Sequence, residues 1–181
     1  MSEGLIPRRY AKALYKFALE RDAATKVYSI MGRLRESFAG APSLQETLSN
    51  PFIKEDDKIK LLYTASGCSE DGTVMADFFK LLAENRRLDM AHLIAIAYQE
   101  LYREANNIYL VNVTSAARLS PEDDKRLRAF IEKHLDGATM EYSSSIDPEL
   151  IGGFIVKINN ELLDASISNE LKQLRLKLLS H

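Results

Sequence analysis

Apolar residues recur at helical spacing from Pro7 to about Asn106, and beyond that point the spacing changes to that of strands. Between Tyr10 and Glu20, the residues Tyr10, Ala11, Ala13, Leu14, Tyr15, Phe17, Ala18 and Leu19 fill an arc of roughly 240° on a helical wheel. Only Lys12, Lys16 and Glu20 mark a polar side. A helix packed on one side of a small bundle needs an apolar stripe of little more than roughly 100°, so this one has apolar surface left over. The segment Thr73 to Glu84 repeats the excess: Val74, Met75, Ala76, Phe78, Phe79, Leu81, Leu82 and Ala83 cover roughly 220°. Two explanations fit such arcs, burial on all sides at the centre of a bundle or a face reserved for a partner.

The remaining helical segments are ordinary. Thr25 to Phe38 carries one stripe of Val27, Ile30, Met31, Leu34 and Phe38. Ser43 with Glu46 has the capping-box spacing and opens a short helix that Asn50-Pro51 ends. Lys54 to Ala65 follows, then a loop through Gly67 and Gly72. Leu88 to Ala105 predicts one long helix with Met90, Leu93, Ile94, Ala97, Tyr98 and Leu101 facing inwards.

Past Asn106-Asn107, Tyr109, Val111 and Val113 alternate with Ile108, Leu110, Asn112 and Thr114, a strand. Ser120-Pro121-Glu122-Asp123 predicts a capped helix start, with Leu127, Phe130, Ile131 and Leu135 as its buried stripe. Met140 and Tyr142 belong to a second strand. Gly152-Gly153 then frees the backbone before the alternation of Phe154, Val156 and Ile158. Asn159-Asn160 turns the chain towards Leu162-Leu163, and Ser166 or Ser168 caps a last helix bearing Ile167, Leu171, Leu174 and Leu178. The expected fold is therefore α+β. An N-terminal bundle of six helices, residues 1–106, is followed by a small α/β domain with a mixed sheet, residues 107–181.

Composition changes this picture little. A net charge of −2 and a pI near 6.0 supply no clustered cationic surface, so nucleic acid is not an expected partner. The longest apolar run, Leu93 to Tyr98, is far below the roughly 20 residues of a membrane-spanning helix. Met1 to Tyr10 has no apolar secretory core, so export is not expected, and neither is an organelle transit sequence. Cys68 is the single cysteine, which leaves no partner for an intrachain disulfide.

The same holds for chemistry. His92, His134 and His181 share no metal-ligand spacing with one another or with Cys68. Asp56-Asp57 and Asp123-Asp124 open helices, where the positive dipole end accounts for them. Gly152-Gly153 precedes a strand, whereas a phosphate-cradling loop leads into a helix. No catalytic, cofactor-binding or metal-binding residues are expected.

Several motifs nevertheless occur in a recognisable order. They are Arg9-Tyr-Ala-Lys-Ala-Leu-Tyr15, Asn50-Pro51, Ala83-Glu-Asn-Arg-Arg-Leu88, Val113-Thr-Ser-Ala116, Ile146-Asp-Pro-Glu-Leu-Ile-Gly-Gly-Phe154, Leu163-Asp-Ala-Ser-Ile167 and Leu171-Lys-Gln-Leu-Arg175. Together they resemble the F-type ATP synthase delta subunit family, known in mitochondria as the oligomycin-sensitivity-conferral protein. Arg86 and Ala165 depart from the resemblance, since the family usually has glycine at both places. What the resemblance implies is a non-catalytic stator component that takes part in ATP synthesis and hydrogen ion transport without an active site of its own. It further implies a six-helix N-terminal domain that binds the N-terminal helix of one alpha subunit between its first and fifth helices. Those helices correspond to the two wide arcs, with Tyr10, Ala13, Leu14, Phe17, Phe78, Leu81 and Leu82 as the implied contact residues. The C-terminal domain would grip the b-type subunits of the peripheral stalk, and the complex would lie on the cytoplasmic face of a bacterial cell membrane. Two other classes compete with this reading. A small hydrolase or transferase would require a polar constellation that the residues do not supply, and a freestanding peptide adaptor would share the groove but have no affinity for stalk subunits.

Overall fold

A computed structural model describes residues 4–68, 74–159, 161–169 and 171. The architecture is α+β, in two compact units, Met1–Ala105 and Asn106–His181. Among the described residues the first unit contains six α-helices: α1 Leu5–Glu20, α2 Ala24–Gly40, α3 Ser43–Ser49, α4 Glu55–Ser66, α5 Val74–Glu84 and α6 Ala91–Ala105.

Helix α6 is the hub of the first unit, packed against both α1 and α2. Its buried stripe is Ala91, Ile94, Ala95, Tyr98, Gln99 and Tyr102, with Ala97 also buried. This differs from the stripe expected from hydrophobicity. Leu93 is 47% exposed and Leu101 half-buried, because the alanines let two neighbouring helices approach closely and the bulky residues are turned to the flank. Residues Leu88–Met90 form a separate 3₁₀ turn rather than the first turn of α6. Fully buried Tyr98 is satisfied by donating its hydroxyl to the Ala24 carbonyl at 3.2 Å, and burial pushes its phenol pKa well up. Tyr15 meets the rings of Tyr98 and Tyr102 edge-on, at 6.0 and 6.2 Å.

The capping box expected at Ser43 does not form. Pro42 occupies the cap position with αR backbone angles, so Ser43 falls inside α3, where its carbonyl accepts from the Thr47 hydroxyl. Arg86, just beyond α5, has φ 53°, a left-handed conformation that costs a side-chain-bearing residue roughly 1 kcal/mol. Arg86→Gly is accordingly expected to stabilise the first unit by about 0.5–1 kcal/mol, measured as a raised urea midpoint at unchanged m.

The second unit is a four-stranded sheet in the order β2-β1-β3-β4, where β1 is Ile108–Ser115, β2 Thr139–Ile146, β3 Gly153–Ile158 and β4 Glu161–Ser166. Helix α7, Pro121–His134, makes the crossover that lets β1 and β2 run parallel, while β1 with β3 and β3 with β4 are antiparallel. Ser120 caps α7 as its sequence predicts, its Oγ accepting from the Asp123 amide at 3.1 Å. The core is Val111, Val113, Val156 and Ile131, bordered by Leu127, Leu135, Met140, Tyr142, Phe154 and Ile158. Phe130, expected on the buried stripe, is 64% exposed, because Ile131 already occupies the inward position of that turn.

A polar clasp also ties α7 to β2. Tyr142 Oη donates to Asp124 Oδ1 at 2.6 Å, Arg128 Nε donates to Asp124 Oδ2 at 2.8 Å, and the Arg128 guanidinium lies 3.8 Å above the Tyr142 ring. The hydrogen bond from Tyr142, followed by that from Arg128, holds the Asp124 carboxyl below its ordinary value of 3.8. Burial, followed by the bond to Asp124, pushes the Tyr142 phenol from 10.0 up to about 12. A lowered carboxyl contributes stability above its unfolded value and loses it as pH falls through the folded one. A raised phenol contributes fully below pH 10 and loses its contribution as pH rises towards about 12. The stability difference between the native protein and Tyr142→Phe is therefore expected to form a plateau around neutrality and to shrink at both ends. Chemical denaturation across the pH range would contradict this if the difference were flat throughout.

Candidate functional surface

The wide apolar arc of α1 divides into three strips. Pro7, Ala11, Leu14 and Ala18 are buried and form the helix's contribution to the core. Tyr15 turns towards α6. The opposite flank carries Ile6, Tyr10 and Phe17, all half-buried, and Ala13, which is exposed. These four recur at spacings of four, three and four residues, so they form one stripe along the helix.

That stripe borders α5. The Tyr10 ring meets the Phe78 ring edge-on at 6.5 Å, and Arg21 beyond the end of α1 pairs with Asp77 at 3.2 Å. The Arg21 guanidinium also lies 4.3 Å from the Phe17 ring centroid, so it covers one end of the apolar stripe. The ion pair is about half exposed on both sides and contributes little to stability; it marks a place where the end of α1 adjoins α5. On α5 itself, Val74, Met75, Ala76, Phe78, Phe79 and Leu82 are buried. Leu81, one turn after Asp77, is 42% exposed.

The seven residues singled out from sequence thus separate into two layers. Leu14 and Leu82 are 1% and 0% exposed and Phe78 is 5% exposed, so they belong to the unit's own packing. Tyr10, Ala13, Phe17 and Leu81 lie above them at the surface. Ile6, Arg21 and Asp77 complete the surface and were missed. Ile6 could have been found from its place one turn before Tyr10, whereas the pairing of Arg21 with Asp77 spans 56 positions and has no local signature. Chemically the surface is an apolar strip with one charged border, suited to an apolar helix face rather than to catalysis.

In the second unit, exposed apolar side chains gather late in the chain: Ile146, Ile151, Leu162, Leu163, Ile167 and Leu171 are each 45–73% exposed. Gly153 shapes this region, with φ +80° and Ser166 as its strand partner. Ser166 Oγ accepts from the Asn169 amide at 3.2 Å and caps the turn that follows β4. The expected positions Leu174 and Leu178 lie outside the described residues. Among the described residues, no group of three or more His, Cys, Asp or Glu side chains could hold a metal ion, and no helix is long and apolar enough to cross a membrane.

Comparison with known proteins places this geometry in context. The family model for the ATP synthase delta (OSCP) subunit matches residues 6–178. The delta subunit of ATP synthase from Phocaeicola vulgatus is 35% identical over 172 residues, covering 95% of this chain and 92% of that protein. The one from Parabacteroides distasonis is 35% identical over 181 residues, covering 100% and 99%. Among solved structures, a chain of the Toxoplasma gondii mitochondrial ATP synthase hexamer has a similar fold, with a TM-score of 0.74 at 18% identity, covering 96% of this chain and 97% of that one.

Proposed function

The chain belongs to the ATP synthase delta (OSCP) subunit family, and from that premise we propose that its first unit, acting as a six-helix bundle, binds the N-terminal helix of an alpha subunit on the strip between α1 and α5. Residues 1–106 then attach to the catalytic head and residues 107–181 to the b-type subunits of the peripheral stalk. The protein serves as a static, non-catalytic connector at the cytoplasmic face of a bacterial membrane. Its task is to keep the head from turning with the rotor, and such a task calls for buried apolar contact rather than for chemistry.

The observation that carries this reading is the strip of Tyr10, Ala13, Phe17 and Leu81, apolar surface that remains after α1 and α5 have filled the core. An amphipathic helix laid along it would contact residues at consecutive turns, the usual helix-in-groove arrangement. The exposed leucines and isoleucines of the second unit give the stalk a comparable apolar contact. The experiment is a calorimetric titration of the full chain with a peptide spanning the alpha-subunit N-terminus, accompanied by affinity capture from solubilised native membranes. Saturable peptide binding and recovery of stalk subunits are expected. If the peptide fails to bind at concentrations up to about 100 μM, the assignment of the α1–α5 strip is wrong.

A further inference from the structure

Arg21, the capping residue at the end of α1, occupies part of the α1–α5 strip itself. Its guanidinium carbon lies 4.3 Å from the centroid of the Phe17 ring, so whatever comes to cover that ring covers this cation as well. A guanidinium has several N–H donors spread around one plane. Among the described residues one hydrogen bond engages them, from Nη1 to Asp77 Oδ2 at 3.2 Å, and the Arg21 side chain is 48% exposed, so solvent is available to the others. A partner helix laid along Tyr10, Ala13, Phe17 and Leu81 removes that solvent. A cation that loses hydration must gain an acceptor or its burial opposes binding. An apolar helix face alone therefore does not match this end of the strip. A helix that also brings a carboxylate does, because a carboxylate accepts two N–H groups of a guanidinium at once.

We propose that the strip selects a helix bearing an acidic side chain at its Arg21 end, and that Arg21, lying over Phe17, is the residue that reads that acid. The inference rests on the α1–α5 strip being the alpha-subunit site, and it adds to that reading a charge requirement. A helix with its carboxylate at one end of the apolar stripe then lies along the strip in one direction only. Asp77 becomes a competitor within the chain, since its carboxylate and the partner's draw on the same guanidinium. The two members of this ion pair consequently have opposite effects on binding.

The test is a calorimetric titration of the full chain and its variants with the alpha-subunit N-terminal peptide. Arg21→Gln is expected to raise Kd about tenfold and Asp77→Asn to lower it about threefold, both variants keeping the native circular dichroism because the pair is half exposed. Replacing the acidic residues of the peptide one at a time by their amides should find one whose loss weakens binding to the native chain about tenfold and to Arg21→Gln hardly at all. If the pair only holds α1 beside α5, both variants bind more weakly, and that result overturns the proposal. Unchanged or tighter binding in Arg21→Gln also overturns it, as does a peptide series in which no acidic residue is coupled to Arg21. Should Arg21→Gln fail to fold, Asp77→Asn decides: unchanged or weaker binding in that variant overturns the proposal. Failure of the strip reading looks different. If the native chain does not bind the peptide, or Leu81→Glu binds it as tightly as the native chain does, the strip assignment and the charge requirement fall together. If Leu81→Glu weakens binding while Arg21→Gln does not, the charge requirement alone falls.

Discussion

Replacing Gly153 with alanine is expected to destabilise the second unit by about 3 kcal/mol or more, a large part of what a domain of this size possesses. Two independent costs combine at this residue. The backbone sits at φ +80°, which a residue with a Cβ adopts only at a penalty of about 1–2 kcal/mol. The added carbon would also lie 2.3 Å from the Ala165 carbonyl oxygen and 3.0 Å from Ser166 Cα, both of them backbone atoms of the paired strand β4. Strand β4 could withdraw only by giving up its ladder with β3, so no flexible side chain absorbs the overlap. The adjacent Gly152 offers a control, because a Cβ there would meet the Cδ1 of Ile167, the movable end of a half-exposed side chain. Hydrogen exchange on the full chain should show the β3 and β4 amides losing protection in Gly153→Ala and largely keeping it in Gly152→Ala. The explanation is wrong if the two variants behave alike.

Such a position also marks what could be read from the chain before its structure. The Gly-Gly pair, the alternation of Phe154, Val156 and Ile158 and the capped start at Ser120 are local signals, and the sheet and α7 formed where they point. The strand order β2-β1-β3-β4 had no such signal, because it depends on α7 crossing between two parallel strands. Hydrophobicity also misranked the interior of the first unit. On α6 it favoured Leu93 and Leu101 over Ala91 and Ala95, whereas a helix packed against two neighbours buries its small residues so that the backbones can approach. Phe130 failed for a related reason, since the wheel position of Ile131 already fills the gap between α7 and the sheet.

The candidate surface has the same history. A wheel records that α1 carries too much apolar area, but it is silent about which part of the arc meets the core. The structure resolves this through contacts distant in sequence, Tyr15 with Tyr98 on one flank and Tyr10 with Phe78 on the other. Residues next to each other in the implied contact set therefore have opposite uses. Leu81 is 42% exposed while Leu82 is completely buried, and Ala13 is exposed while Leu14 is 1% exposed.

That difference gives the sharpest test of the connector reading. Leu81→Glu should leave the first unit folded, since the new carboxylate can stay in water, yet should weaken alpha-subunit peptide binding by about 2–4 kcal/mol, or roughly 30- to 1,000-fold. Leu14→Glu should instead unfold the first unit, because a carboxylate placed at a fully buried site has neither water nor a counter-ion. Ala13→Glu, one residue away, should behave like Leu81→Glu, as the side chain would extend from the exposed strip. Circular dichroism separates the folded variants from the unfolded one, and calorimetry on the folded pair measures the loss of binding. Were Leu81→Glu and Ala13→Glu both to fold and bind the peptide as well as the native chain, the partner helix would have to lie elsewhere on the first unit. The apolar strip would then need another occupant, because Tyr10 and Phe17 keep part of their surface uncovered and Leu81 is 42% exposed.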